Sequence, residues 1–212
     1  MNNTQQLKDF TSVITGRRSI RKYDPTVKIS KEKMTQILTE ATLAPSSINL
    51  QPWRFLVIES EEAKATLAPL AKFNQTQVET SAAVIAVFGD LDNFDYAEEI
   101  FSAAVERGFM PAEVKERQMS VLAPRFATLP REVKKDIVLI DAGLVSMQLM
   151  LVAHAHGYDT NPIGGYEKEQ IAEAFGLDKE RYVPVMLISI GKAADEGYAS
   201  VRLPIEKVAQ WK

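Results

Sequence analysis

Read as a pattern of apolar and polar positions, the chain divides into many helices and a few strands. Leu7, Phe10, Val13 and Ile14 recur at helical spacing and predict a first helix that stops near Gly16. Ser30 is a good cap for a second helix, whose apolar stripe is Met34, Ile37, Leu38 and Ala41. That helix reaches about Ala44, and Pro45 ends it. Phe55 to Ile58 reads as a short strand following Trp53. Glu61 to Lys72 is rich in alanine and leucine and reads as helix, disturbed near its end by Pro69. Ala82 to Phe88 is continuously apolar and β-branched, the signature of a strand buried on both faces. Residues 95–127 read as helical, with interruptions at Gly108 and Pro111. The strongest helical signal is Ile137 to His156, where Ile140, Leu144, Met147, Leu151 and Ala155 line one face. Val138, Val145 and Leu149 broaden it, so this helix belongs in the middle of a fold or at an oligomer interface. Tyr158 to Tyr166 reads as a loop, Lys168 to Phe175 as a short helix closed by Gly176, and Val183 to Ile190 as a third buried strand.

The strands do not alternate regularly with helices, which argues for an α+β fold, a small sheet covered by helices. Neither a G-x-G-x-x-G after a strand nor a G-x-x-x-x-G-K-[ST] is present, so dinucleotide-binding and P-loop folds lose their main support. No repeat or flexible linker divides residues 1–212, which read as one domain. At 46% hydrophobic residues, a continuous core is feasible without staples. The formal net charge of −3 argues against a broad footprint for nucleic acid or anionic lipid. There is no cysteine, which removes disulfides, thiolate metal sites and cysteine nucleophiles. The polar start MNNTQQLKDFTSV and the shortness of every uninterrupted apolar run lead to the expectation of a cytoplasmic protein with no membrane span.

Four clusters can carry chemistry. Arg17, Arg18, Ser19 and Arg21 concentrate guanidiniums that match phosphate, although such a run is also an ordinary solvated turn. Pro45, Ser46, Ser47, Asn49 and Gln51 set neutral hydrogen-bonding groups between two prolines, suited to the edge of a heterocycle or to a helix–strand loop. Asn161 to Tyr166 contains paired glycines, which let backbone approach a flat ligand or simply turn. Arg202 could hold a phosphate or lie exposed. His154 and His156, two apart on a helix, face different ways and do not form an H-x-x-x-H metal pair. No metal site is expected. The serines lack a plausible His/Asp relay, and no paired acids mark a glycosidase.

In order and spacing, RRSIRKY, APSSINLQPWRF, NPIGGY after a long apolar helix, VPVMLISIGK and a closing RLP resemble the nitroreductase family of FMN-dependent oxidoreductases. The similarity runs from about Phe10 to Val208 and is poorest over residues 90–130. The resemblance implies a central mixed β-sheet flanked by helices in an intertwined homodimer, with two FMN molecules at the interface and the helix Ile137–His156 paired across it. It implies that Arg17 and Ser19 hold the phosphate within the run Arg17, Arg18, Ser19 and Arg21, with Arg21 at the pyrimidine edge. Pro45, Ser46, Ser47 and Asn49 match the loop that the other subunit lays against the isoalloxazine. Asn74 and Gln77 match positions at the ring edge and ribityl chain, where Gln77 replaces a lysine of some members. Pro162, Ile163, Gly164 and Gly165 match the loop whose amides reach ring N5 and O4, and Gly164 stands where some members carry glutamate. Arg202 matches a C-terminal phosphate ligand, with Ser200 where many members have lysine.

The activity so implied is ping-pong transfer of hydride from NAD(P)H through flavin N5 to a nitroaromatic, quinone or similar small-molecule acceptor, with no side-chain nucleophile. The flavin carries the chemistry, and Arg21 and Gly165 tune it. Enone reduction or reductive dehalogenation by the same cofactor, and a flavin-binding regulatory or storage protein with little turnover, are the alternatives.

Overall fold

A computed structural model describes residues 9–212. The first helix, α1 (Phe10–Gly16), starts where the Asp9 side chain accepts from the Ser12 amide at 3.1 Å. Leu7, expected on its apolar face, lies outside the described residues. Only Val13 of that face is buried. Helix α2 (Lys31–Ala41) is capped by Ser30, whose side chain accepts from the Lys33 amide, and it ends three residues before Ala44.

Four strands pair in the order β1-β2-β4-β3: β1 (Trp53–Ile58), β2 (Ala83–Asp90), β3 (Asp159–Ile163) and β4 (Tyr182–Gly191). All three pairings are antiparallel. Among the described residues, the parallel component of a mixed sheet is confined to one bridge, Ser19 to Thr160. Strand β3 corrects the loop expected over Tyr158–Tyr166. Its polar sequence Asp-Thr-Asn-Pro-Ile lacks a strand signature, and long-range pairing to residues 187–191 decides its conformation. Pro162 is tolerated because β3 is an edge strand of the sheet.

Alternate residues of the central strands point to opposite faces. Ile85, Val87, Ile188 and Ile190 meet α2 and the long helix α7 (Arg131–Ala155). Val84, Ala86, Phe88 and Leu187 meet α3 (Glu61–Leu67), α4 (Gln75–Thr80) and α8 (Lys168–Ala174). The result is a three-layer α/sheet/α stack. The helix expected over Glu61–Lys72 ends at Leu67, before Pro69; a 3-10 stretch, Ala68–Asn74, kinked at Ala71, then leads into α4. Helices α5 (Ala97–Glu106) and α6 (Ala112–Thr128) flank the expected interruption at residues 108–111 and enclose a separate cluster of Leu50, Ala97, Phe101, Leu122 and Phe126.

By length and composition α7 would pass for a membrane span, which uninterrupted apolar runs do not reveal. Half of its most apolar window is buried against the rest of the fold, as expected of a core helix. Its approach is close enough that a Cβ on Gly89 would lie 2.6 Å from Val138 Cγ2. Its apolar surface, expected in the middle of a fold or at an oligomer interface, is divided. Val138, Ala142, Val145 and Leu149 are buried, whereas Ile140, Leu144 and Met147 remain 67%, 44% and 42% exposed in the single chain.

Candidate functional site

The arginine run sits at the C-terminal end of α7. Ser19 bridges to Thr160, and the Ile20 amide donates to the Thr160 carbonyl at 3.1 Å, so the run lies along the outer edge of β3. Arg17 Nη1 and Thr160 Oγ1 are both buried without a hydrogen-bond partner. An unpaired guanidinium N–H is what a phosphate oxygen would satisfy, and Thr160 carries a second unpaired group on the strand that the run follows. Arg18 points elsewhere: its Nη1 donates to the carbonyls of Thr15 at 2.7 Å and Arg17 at 3.0 Å, closing the end of α1. The Arg21 guanidinium stacks 5.5 Å from the centroid of Tyr198, in the C-terminal segment. That segment passes so near the run that a Cβ on Gly197 would come within 2.9 Å of Ile20 Cδ1. Arg202 lies four residues beyond Tyr198, exposed, with Nη1 on Ser200 Oγ at 2.7 Å and on the Val201 carbonyl at 2.9 Å.

Around the other end of β3, Asn74 Nδ2 donates to the Gly165 carbonyl at 3.0 Å, and Gln77 Nε2 donates to Asn74 Oδ1 at 3.0 Å. Residues distant in sequence, Asn74, Gln77 and Gly165, are thereby linked. Pro162 and Ile163 belong to β3, with Ile163 buried. Neither Gly164 nor Gly165 has a positive φ. A Cβ on Gly164 meets nothing within 4 Å, and one on Gly165 makes only ordinary contact with Asn74. Nothing within the chain therefore demands glycine at 164 or 165, which leaves an open backbone surface suited to a planar ligand. Tyr166, next in sequence, has a buried hydroxyl without a partner, and burial pushes its pKa up.

The Pro45–Asn49 loop is elsewhere. Ile48, Asn49 and Gln51 have φ of 55°, 56° and 47°. Left-handed backbone costs a non-glycine residue roughly 1–2 kcal/mol, and the β-branched Ile48 is an especially poor fit. The strain persists because the loop is pinned. Ser46 Oγ accepts from the Gln51 amide at 3.0 Å, and the Leu50 side chain is buried among α5 and α6. The Ser47 amide donates to both carboxylate oxygens of Asp141, at 3.1 and 3.0 Å. Asp141 projects from α7 and is 3% exposed; burial pushes its pKa above the ordinary value. Beside the loop, Ile48, Val121 and Leu122 line a cavity of about 390 Å³ that also presents Arg117 and Gln118.

Sequence reasoning missed Thr160 and Asp141. Thr160 carries no local signal. Asp141 does: it is a lone carboxylate inside the apolar run Ile137–Leu151. The histidines are tied into the fold, His156 to Glu40 at 2.8 Å and His154 to Asp159 at 3.2 Å, joining the end of α7 to α2 and β3.

The two halves of the candidate site cannot meet within one chain. Asp141 and the end of α7 at Ala155 are fourteen residues apart, about 21 Å at 1.5 Å per residue. The loop enters β1, three strand spacings from β3, roughly 14 Å across the sheet. Exposed Leu144 and Met147 lie between Asp141 and Ala155 along α7, with exposed Ile140 just before Asp141.

Comparison with known proteins places these features in context. A model of the nitroreductase family matches residues 14–192. The protein named "Putative NAD(P)H nitroreductase YdgI" from Bacillus subtilis is 71% identical over 204 residues, covering 96% of this chain and 98% of that one. The CLA biosynthesis enone reductase of Lactiplantibacillus plantarum is 37% identical over 195 residues, covering 92% of this chain and 90% of the reductase. Among solved structures, a "putative nitroreductase in complex with FMN" from Exiguobacterium sibiricum superposes with a TM-score of 0.95 at 68% identity, covering 99% of this chain and all of that one.

Proposed function

The chain belongs to the nitroreductase family, and from that premise we propose that two copies bind two FMN molecules in shared clefts and pass hydride from NAD(P)H to a flat organic acceptor. The observation that carries the reading is the separation of the half-sites. The arginine run and the Asn74–Gly165 cluster surround β3, whereas the strained loop is held far away on α7. Antiparallel apposition of the exposed α7 stripes about a twofold axis carries the Asp141 end of one helix toward the His156 end of the other. It also covers apolar surface that a monomer would leave in water. Val201, Leu203, Ile205, Val208 and Trp211, all exposed, then have a second copy to wrap around, which supports an intertwined homodimer.

In this arrangement Arg17, Ser19 and Arg202 hold the phosphate, and the unpaired Arg17 Nη1 gains a partner in it. Arg18 remains with the carbonyls at the end of α1. Arg21 keeps a fixed positive charge at the pyrimidine edge of the ring. Asn74 and Gln77 orient along the ring edge and ribityl chain, and Gly164 and Gly165 offer open backbone to its face. Pro45, Ser46, Ser47 and Asn49 of the partner subunit close the other side. FMN held by these residues would supply the two-electron chemistry between NAD(P)H and the acceptor. One cleft serves donor and acceptor in turn, so ping-pong kinetics are expected. Residues 1–212 act as one flavin-binding domain, and α7 packed in the core fits a cytoplasmic location.

The acceptor class takes support from the cavity beside Ile48. Its apolar walls fit the face of a nitroaromatic or quinone, and Arg117 offers one cation to a polar substituent. Similarity to an enone reductase gives an α,β-unsaturated ketone as the second reading. The deciding experiment is the absorbance spectrum of FMN-loaded protein, titrated anaerobically with NADH and NADPH and then with menadione, nitrofurazone or an enone. Bleaching followed by recovery of the yellow colour supports the enzyme. Persistent colour points to a binding protein, and failure to load FMN removes the reading altogether.

A further inference from the structure

We propose that Asp141 is a positioning residue for the flavin site: by accepting the Ser47 amide it holds the Pro45–Asn49 loop in the strained shape that the partner's flavin requires. The proposal rests on the FMN reading above. Asp141 occupies the one charged position within the apolar heart of α7, from Ile137 to Leu151. A carboxylate is costly there, and a mainchain helix needs none. Its two oxygens converge on Ser47, whose amide donates to them at 3.1 and 3.0 Å across 94 residues of sequence. That donor lies between Ser46 and Ile48, where an extended residue (φ −145°) gives way to the left-handed backbone of Ile48. Without an acceptor the Ser47 amide would be stranded at the start of the turn, and the Ser46–Gln51 hydrogen bond and the buried Leu50 would be left to oppose relaxation of Ile48 and Asn49 toward ordinary backbone.

The pin sits on the same helix whose exposed stripe is proposed to meet the second copy. Ile140, next to Asp141, faces outward while Asp141 faces the loop. A loop fastened to α7 moves as one body with the dimer interface. Its groups thus arrive at the partner's cleft already arranged, and binding does not have to order them.

The test uses full-length protein freed of flavin and titrated with FMN, following the quenching of flavin fluorescence. Asp141→Ala is expected to weaken FMN binding about tenfold or more, the consequence of an unanchored loop and an unpaired amide. Asp141→Asn keeps an oxygen acceptor and is expected to stay within about threefold of wild type, since a single N–H needs only one. Both variants should keep the wild-type oligomeric state in sedimentation. Wild-type affinity in Asp141→Ala overturns the proposal while leaving the flavin reading intact. Equal loss in the Ala and Asn variants overturns it too, because the acceptor would then not be the cause. Loss of the dimer in parallel with FMN assigns Asp141 to assembly and also overturns it. Should Asp141→Ala not fold, Asp141→Glu decides: one added methylene displaces the anchored amide, and unchanged FMN affinity is the refuting result. A wild-type protein that takes up no FMN refutes the flavin reading first, and this proposal with it.

Discussion

Replacing Arg17 with methionine separates the cost of the phosphate site from its use. The substitution keeps an unbranched stem for packing and removes the guanidinium. In the ligand-free chain Arg17 Nη1 is buried without a partner. A buried unsatisfied donor costs about 1–3 kcal/mol, and because the residue as a whole is only half-buried the lower end, about 1 kcal/mol, is the appropriate figure. For a chain of this length each kcal/mol moves the melting midpoint by roughly 2–4 °C, so the flavin-free variant should melt about 2–4 °C above flavin-free wild type. With ligand the sign reverses. A hydrogen bond to a charged group contributes about 1.5–3 kcal/mol, so the variant should bind FMN roughly ten- to a hundredfold more weakly. Calorimetric melts of the flavin-free proteins and an FMN titration of each read the two effects separately. The reasoning fails if the flavin-free variant melts several degrees lower, which would mean Arg17 is satisfied within the fold. It also fails if FMN affinity is unchanged, which would place the phosphate elsewhere.

Leu144→Glu puts a charge in the middle of the exposed α7 stripe; sedimentation should show dissociation into monomers, with FMN affinity falling in step, and a stable flavin-loaded monomer would contradict the shared cleft. Gly89→Ala brings a Cβ within 2.6 Å of Val138 Cγ2, an overpacking cost of about 1–3 kcal/mol that denaturant titration should register, with FMN affinity of the folded protein little changed. The raised pKa of Asp141 means that the folded chain holds a proton the unfolded chain has released, so wild-type stability should fall as pH rises from the ordinary value of 3.8 through the folded-state value. Asp141→Asn lacks that titration, so its stability relative to wild type should improve as pH rises above 3.8, as read by urea unfolding; a difference independent of pH would show that the carboxyl is not perturbed. Arg21→Ala should retain FMN yet slow its reduction by NAD(P)H in stopped flow, and an unchanged rate would remove the electrostatic role of Arg21.

Local pattern determined the elements whose stability is largely their own. The Ser30 cap, the break between α5 and α6, the helical run of α7 and the two central strands follow from spacing, capping chemistry and continuous apolarity, all legible within a window of a few residues. The arginine run, the neutral loop and the paired glycines were likewise visible as chemistry in search of a place. Tertiary structure decided what depends on partners remote in sequence. Strand β3 exists because β4 offers Asp159–Ile163 a ladder, not because Asp-Thr-Asn-Pro-Ile favours one. The apolar stripe of α7 looked uniform in sequence, yet only one side of it meets the sheet, and the side left exposed is what points to a second copy. The turn at Ile48 runs against the backbone preference of its own residue and is held by an amide–carboxylate contact spanning 94 positions. Periodicity reports which residues avoid water; which neighbours they find, and which strained shapes those neighbours can sustain, is settled only when distant segments pack.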